Sequence, residues 1–420
     1  MKDTFSRYQI FVVALLAFLQ FTVVLDFMIL SPLGVMLHGA LHITPKQFGL
    51  VVSAYAFSAA ASGFVAAGFA DRFDRRKFLL FFYGGFVVGT LLCATADTYE
   101  ALLGARIITG LFGGVIGSIS LAIVADLFPM SMRGRVMGLV QTAFSASQVL
   151  GIPFGLVLAT HFGWHTPFLM IAFAALLVGV TIFTRLRPIR SHLDGQRATS
   201  NVFEHLTKAF MHLAKTATYP RYIAGFAATM LLTTGGFMLA PFGSNYLVYN
   251  LHVPIEKVPI VFAASGAATM ISGPLFGQFA DAFGKYLTFA AGSVLTASVV
   301  LYYTSLTSAP FGFIVMLNIA LFVGISARMG SSFAMISGLP NLRDRGAYMS
   351  ISASIQQLSG GTAAACAGLI VHQKTPASAL ENYPRLGWVV ATTVAITLVL
   401  MFNVHRLVTK QRAQAISPKV

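Results

Sequence analysis

The chain has 420 residues, of which 56% are hydrophobic and only 10% charged. Soluble domains carry about 25% charged residues, so this composition excludes an ordinary soluble protein. The formal net charge of +15 would suit a nucleic-acid binder. The basic residues, however, sit in short connections rather than in patches interleaved with aromatics, which argues against that reading.

Apolar runs of 18 or more residues recur, the length that crosses roughly 30 Å of hydrocarbon. They are continuous rather than alternating, so helices are expected, not barrel strands. Taken in order, the runs predict twelve spans at about 9–37, 47–70, 78–96, 100–125, 135–160, 165–186, 221–248, 258–280, 286–306, 310–336, 346–371 and 387–406. The first run is too long for a signal-peptide core and is read as a retained span. Cys93 and Cys366 both fall within apolar runs and show no disulfide or metal spacing.

Charge orients the chain. Of its 28 basic residues, 22 lie at the N-terminus, in the even-to-odd connections or at the C-terminus. The odd-to-even connections hold Lys46, Lys257, Lys374 and Arg385, while Arg106 and Arg328 lie inside spans. The positive-inside rule then places both termini in the cytoplasm. A compact multi-pass chain of this kind fits a bacterial inner membrane.

Between spans two and three runs Ala67-Gly68-Phe69-Ala70-Asp71-Arg72-Phe73-Asp74-Arg75-Arg76-Lys77. A second version, Gly277-Gln278-Phe279-Ala280-Asp281-Ala282-Phe283-Gly284-Lys285, begins 210 residues later. In span one, Asp26-Phe27-Met28 corresponds to Gly236-Phe237-Met238 in span seven, and Arg133 and Arg135 correspond to Arg343 and Arg345. Three matches at one offset indicate a duplicated chain. Two six-span halves arranged as parallel repeats imply a substrate route at their interface near the midplane. The expected domains are a bundle at 1–186, a linker at 187–220, a second bundle at 221–408 and a tail at 409–420. Within the linker, Phe203, Leu206, Phe210 and Leu213 recur at helical spacing, predicting an amphipathic helix on the membrane surface.

These residues resemble the major facilitator superfamily over nearly the whole chain. Ala67 to Lys77 is similar to that family's signature between spans two and three, with Ala67 and Asp74 where glycines are usual. Leu102-Leu103-Gly104-Ala105-Arg106-Ile107-Ile108-Thr109-Gly110 resembles the span-four signature of proton-coupled members. Gly151-Ile152-Pro153-Phe154-Gly155 and Asp26 resemble the drug and sugar efflux branch. The resemblance implies an all-α fold of two six-helix bundles related by a pseudo-twofold axis. It implies a proton-driven exporter of drug- or sugar-like molecules, acting by alternating access. The alternatives are a proton-coupled importer of a sugar or organic anion, or a lipid flippase.

Asp26 is the sole carboxylate well inside a span. Burial favours the neutral form of such a group, so it suits a proton carrier, with a fixed ion pair as the other reading. Arg106 is its natural partner. Arg328 is either a cation for a substrate carboxylate or phosphate, or a side chain snorkelling to the interface. The expected cavity lining comprises Phe27, Met28, Gln141, Ser145, Gln148, Met238, Asn245, Tyr246, Asn318, Gln356 and Gln357, together with Arg328. Asp71, Arg72, Arg75, Asp126, Asp281 and Arg343 are expected to gate the two halves. All ten histidines fall in loops or near span ends, and no cluster has catalytic or metal spacing, so an enzyme is disfavoured. The proton gradient replaces any cofactor. The expected partners are a small-molecule substrate, protons and the lipid bilayer, with no nucleic acid and a monomeric state.

Overall fold

The computed structural model of the protein describes residues 5–67, 73–189, 211–341, 344–375 and 378–416. Among them, ten helices are long and apolar enough to cross a membrane. In the first half these are span one (Arg7–Ile29), span two (Pro45–Ala66), span three (Arg75–Ala94), span four (Tyr99–Leu127) and span six (Thr166–Arg185). In the second half they are span seven (Pro220–Asn250), span eight (Ile255–Phe283), span nine (Lys285–Thr304), span ten (Phe311–Ile336) and span twelve (Tyr383–Gln411). Span five and span eleven (Arg345–Ile370) complete the two six-helix bundles. Span eleven falls short of the others in hydropathy because it carries Ser350, Ser352, Ser354, Gln356, Gln357 and Ser359.

Prolines divide the expected continuous spans. Pro32 stops span one at Ile29, and a separate short helix, Gly34–Leu41, comes after the turn. Pro153 has no N–H for the Val149 carbonyl and would clash with it in a regular helix. Span five accordingly runs as Met130–Ala146, a π turn over Ser147–Gly151, and Ile152–Phe162. In span seven, Pro241 lies in a 3₁₀ turn, Ala240–Phe242, and a π turn, Tyr246–Asn250, closes the helix. Span twelve continues helically to Ile416, past the expected end at 406. Its extension carries the exposed Lys410, a charge at home in water rather than hydrocarbon. The amphipathic linker helix expected near 203–213 lies mostly outside the described residues; residues 211–217 are helical.

The halves meet through spans two and eleven and through spans five and eight. Glycines permit both contacts. A methyl group on Gly49 would lie 2.7 Å from the Ala364 carbonyl oxygen, and one on Gly266 would lie 3.0 Å from that of Gln148. The apolar core shows where the halves part. On the face opposite the termini, one continuous cluster joins Leu25, Ile29, Phe48 and Val52 of the first half to Met238, Phe242, Ala364 and Val371 of the second. On the face bearing the termini, the core divides into one cluster confined to the first half and another confined to the second. The protein is therefore sealed on the far face, and its two cores are separate on the termini-bearing face.

Candidate transport site

Span one presents Asp26 to spans three and four. Its two carboxylate oxygens are occupied separately: Thr90 Oγ1 donates to Oδ1 at 3.1 Å, and Arg106 Nη1 donates to Oδ2 at 2.8 Å. Arg106 Nη1 also lies 3.3 Å from the Asp26 carbonyl oxygen. Both side chains are 0% exposed. The guanidinium lies over the Tyr55 ring of span two at 4.6 Å, while its Nε and Nη2 have no hydrogen-bond partner. Charge attraction in a low-dielectric setting offsets the desolvation of the pair only while both members remain charged.

A second contact begins one residue further on. The Phe27 ring lies 5.1 Å from Tyr55 and 5.6 Å from Phe237 of span seven. Phe27 and Phe237 occupy matching positions of the repeat, so they meet where the two halves face each other. Tyr55 thus touches both the buried ion pair and the aromatic contact between halves. Thr90 and Tyr55 escaped the sequence reading. Their signal was only a hydroxyl and a phenol inside apolar spans, common features that packing alone accounts for.

The far-face seal is polar as well as aromatic. His38 Nδ1 lies 3.0 Å from Gln373 Oε1 and 3.3 Å from Asn245 Nδ2. Ser244 donates to the Ser31 carbonyl at 3.1 Å, and Ser53 donates to the Gly361 carbonyl at 2.7 Å. Phe48 packs edge-on against both His38 and Phe242.

Several residues expected in the cavity lie elsewhere. Asn245 belongs to the far-face seal. Tyr246 is buried within the second half, where its hydroxyl donates to the Tyr303 and Leu306 carbonyls and its ring stacks on Tyr383 at 4.0 Å. Met238 is a buried core residue. The 3₁₀ turn at Pro241 shifts the helical phase, so a periodicity extended through span seven misplaces the residues beyond that turn. Asn318 is buried and bonds the Ile314 carbonyl of its own helix at 3.0 Å. Arg328 does not reach the interface; it is 4% exposed and lies 5.8 Å from the Phe289 ring centroid. Met28, Ser145, Gln148 and Gln357 are half-buried, and Gln356 is exposed. The Gln141 side chain lies outside the described set.

At the termini-bearing end, Arg75 Nε donates to Asp126 Oδ2 at 3.1 Å. This pair joins spans three and four of the same half, so it braces one bundle rather than clasping the two together. Asp74, where a glycine is usual, caps span three by accepting from the Arg76 and Lys77 amides at 2.9 and 3.4 Å. Asp281 is exposed beside a cavity of about 350 Å³ that is also lined by Lys285, Met335 and His405. Asp71, Arg72 and Arg343 lie outside the described residues.

The family model of the Major Facilitator Superfamily matches residues 16–364 and 225–418. The chain belongs to this superfamily. It is 24% identical over 402 residues to the MFS-type transporter YbcL of Bacillus subtilis, covering 95% of this chain and 96% of that one. It is also 24% identical over 357 residues to a probable sugar efflux transporter of Mannheimia succiniciproducens, covering 84% of each. Among solved structures, it superposes with a TM-score of 0.73 and 16% identity on a bacterial homolog of the human lysosomal transporter Spinster, in an inward-facing and unoccupied conformation. That match covers 97% of this chain and 99% of the other. The chain is thus a multi-pass secondary transporter of small molecules, not an enzyme.

Proposed function

We propose that the protein is a proton-coupled exporter of small organic molecules, drug- or sugar-like, and that Asp26 carries the proton. The observation that carries this reading is the buried Asp26–Arg106 pair, linked through Tyr55 to the Phe27–Phe237 contact between halves. The positive-inside pattern puts the termini-bearing face in the cytoplasm of a bacterial inner membrane, so a seal on the far face corresponds to an inward-open state.

Protonating Asp26 removes the negative member of the pair. Arg106 is then a buried cation held only by the Tyr55 face, an arrangement of higher energy than the intact pair. The cation and Tyr55 gain from rearranging, and Phe27 lies against the same tyrosine. A shift there moves Phe27 relative to Phe237 and couples the protonation of Asp26 to rocking of the two halves about their interface. For export, substrate leaves and Asp26 takes up its proton in the outward-open state. The protonated protein rocks inward, and release of the proton to the cytoplasm lets the pair reform behind the far-face seal. The exposed Gln356 and half-buried Ser145, Gln148 and Gln357 lie on spans five and eleven, which adjoin the interface. Exposed amides at membrane depth are stable only against water, and they supply hydrogen bonds to a polar substrate. Export as the direction draws on the sugar efflux relative.

The test uses purified protein in liposomes with a pH-sensitive dye inside. A pH gradient is imposed, and drugs, sugars and organic anions are added to the wild type and to Asp26→Asn. In wild type a transported compound dissipates the gradient, with protons moving opposite to the substrate; in Asp26→Asn it does not. Equal dissipation by both proteins would end the role of Asp26. Protons moving with the substrate would replace export by import.

A further inference from the structure

Arg328 has no counterpart to the arrangement around Arg106. It is 4% exposed, its Nε and Nη2 have no hydrogen-bond partner, and no described carboxylate forms an ion pair with it. The acidic residues of the second half are placed elsewhere. Asp344 accepts from the Tyr222 hydroxyl at 2.9 Å and lies 3.8 Å from His212, while Glu381 is held by Lys374 at 2.8 Å. Asp281 is exposed at the end of span eight, and Glu256 lies in the first turn of that span, on the far face.

The seam between spans nine and ten around Arg328 is rich in donors. Ser331, one turn along span ten, and Ser293 of span nine are both buried, and neither hydroxyl has a partner. Gly292 keeps this seam tight: a methyl group there would lie 3.3 Å from Arg328 Cγ. Phe289 supports the cation at 5.8 Å through its ring face. Water satisfies N–H groups but leaves a full positive charge uncompensated in a low-dielectric setting. A planar guanidinium with unpaired donors, flanked by hydroxyls, is complementary to a carboxylate or phosphate. Beside it on span ten, Met329 and Phe333 present exposed apolar surface.

We infer that the span nine–ten seam is a receptor for the anionic head of an amphiphile, a carboxylate or phosphate, with Arg328 as its cation. Ser293 and Ser331 supply further donors, and Met329 and Phe333 provide a surface for the apolar part. The site lies in the half opposite the Asp26–Arg106 pair and does not depend on proton coupling. The same head group is carried by free organic anions and by anionic lipids.

The experiment measures the melting temperature of the full chain in phosphatidylcholine nanodiscs. One arm titrates octanoate and, separately, inorganic phosphate; the other replaces about one third of the lipid with phosphatidylglycerol. A stabilised melting temperature is expected in at least one arm, saturable in the soluble one, because a ligand bound only by the folded state raises it. Arg328→Gln abolishes the response and Arg328→Lys keeps a weaker one. Ser331→Ala and Ser293→Ala raise the half-saturating concentration several-fold. The responding arm identifies the source of the head group. No stabilisation of wild type in either arm, or an undiminished response in Arg328→Gln, overturns the inference.

Discussion

The two halves share a fold but not a charge arrangement. In the first, Asp26 and Arg106 meet at 2.8 Å with no exposure of either side chain. At the matching positions of the second half stand Gly236 and Met316, both exposed. The intramembrane cation there, Arg328, sits about three turns further along span ten than the residue matching Arg106. It has no ionic partner among the described residues. Duplication preserves helix packing because packing depends on which face is apolar. It need not preserve a charge pair, because the energy of a pair depends on two particular side chains. The first half is thus built to hold a charge, and the second to receive one.

The sharpest way to break this contrast is to remove each arginine in turn. Arg106→Met leaves Asp26 buried and unpaired, which costs about 3–5 kcal/mol when its charge is retained. A large fall in melting temperature and in folded yield from membranes is expected. Asp26→Asn combined with Arg106→Gln recovers most of that loss, because no lone charge remains. Arg328→Met goes the other way. Measured without added anions in phosphatidylcholine, it holds or raises the melting temperature, since it replaces an unpaired buried cation by an apolar chain of similar length. Equal losses from Arg106→Met and Arg328→Met would erase the distinction between halves.

A smaller effect tests the place where the halves act alike. Phe27 and Phe237 match in the repeat and touch at 5.6 Å. Aromatic pairs contribute about 0.5–1.5 kcal/mol beyond area burial. Phe27→Ala and Phe237→Ala are each expected to shift the population toward the state open on the far face by a few-fold. The double variant should shift it less than the product of the two single shifts, because one contact is lost only once. Distances between spin labels placed on the far-face ends of spans two and eleven report the populations. Full additivity would mean that the two rings act separately.

Much of this architecture was legible in the residues. Twelve apolar runs and a repeat at a constant offset carried the helices and the duplication, because both depend on average hydrophobicity over many positions. The Asp26–Arg106 pair was legible because a carboxylate inside a span demands a partner, and few were available. What failed was local phase. Pro32, Pro153 and Pro241 each change the helical geometry around them, and the last moved Asn245 and Tyr246 away from the expected wall. Asn318 misled for a different reason: a buried amide can satisfy a donor on its own helix, so polarity alone does not mark a cavity. The far-face seal was not legible, since His38 meets Asn245 and Gln373 across 207 and 335 residues of chain.

That seal supplies the smallest and most selective test. His38 lies on the short helix beyond span one, and its imidazole is buried between halves. Burial lowers its pKa below the ordinary 6.5, with the Gln373 hydrogen bond acting weakly in the opposite direction. Nδ1 has neutral partners in Gln373 and Asn245, whereas Nε2 has none, so a second proton has no acceptor inside the seal. When the seal opens, water solvates the ring and its pKa returns toward 6.5. A group whose pKa is depressed in the closed form and which is cationic when protonated stabilises that form above its open-state value. The stabilisation declines as pH falls below about 6.5 and levels off below the closed-state value. Ser53 is 1% exposed between spans two and eleven, so a cysteine there, nearly the same size, is shielded while the seal holds. Acidifying the far face should therefore increase labelling of Ser53→Cys, in a chain without Cys93 and Cys366, by a membrane-impermeant maleimide. The protein is equilibrated at each pH, and labelling is quenched at a common one. His38→Gln, which keeps a hydrogen-bonding side chain but cannot titrate, should flatten the pH profile while leaving labelling at pH 8 near that of the His38 protein. Parallel pH profiles for the two would show that the seal is held by its aromatic and backbone contacts, with the imidazole acting only as a neutral spacer.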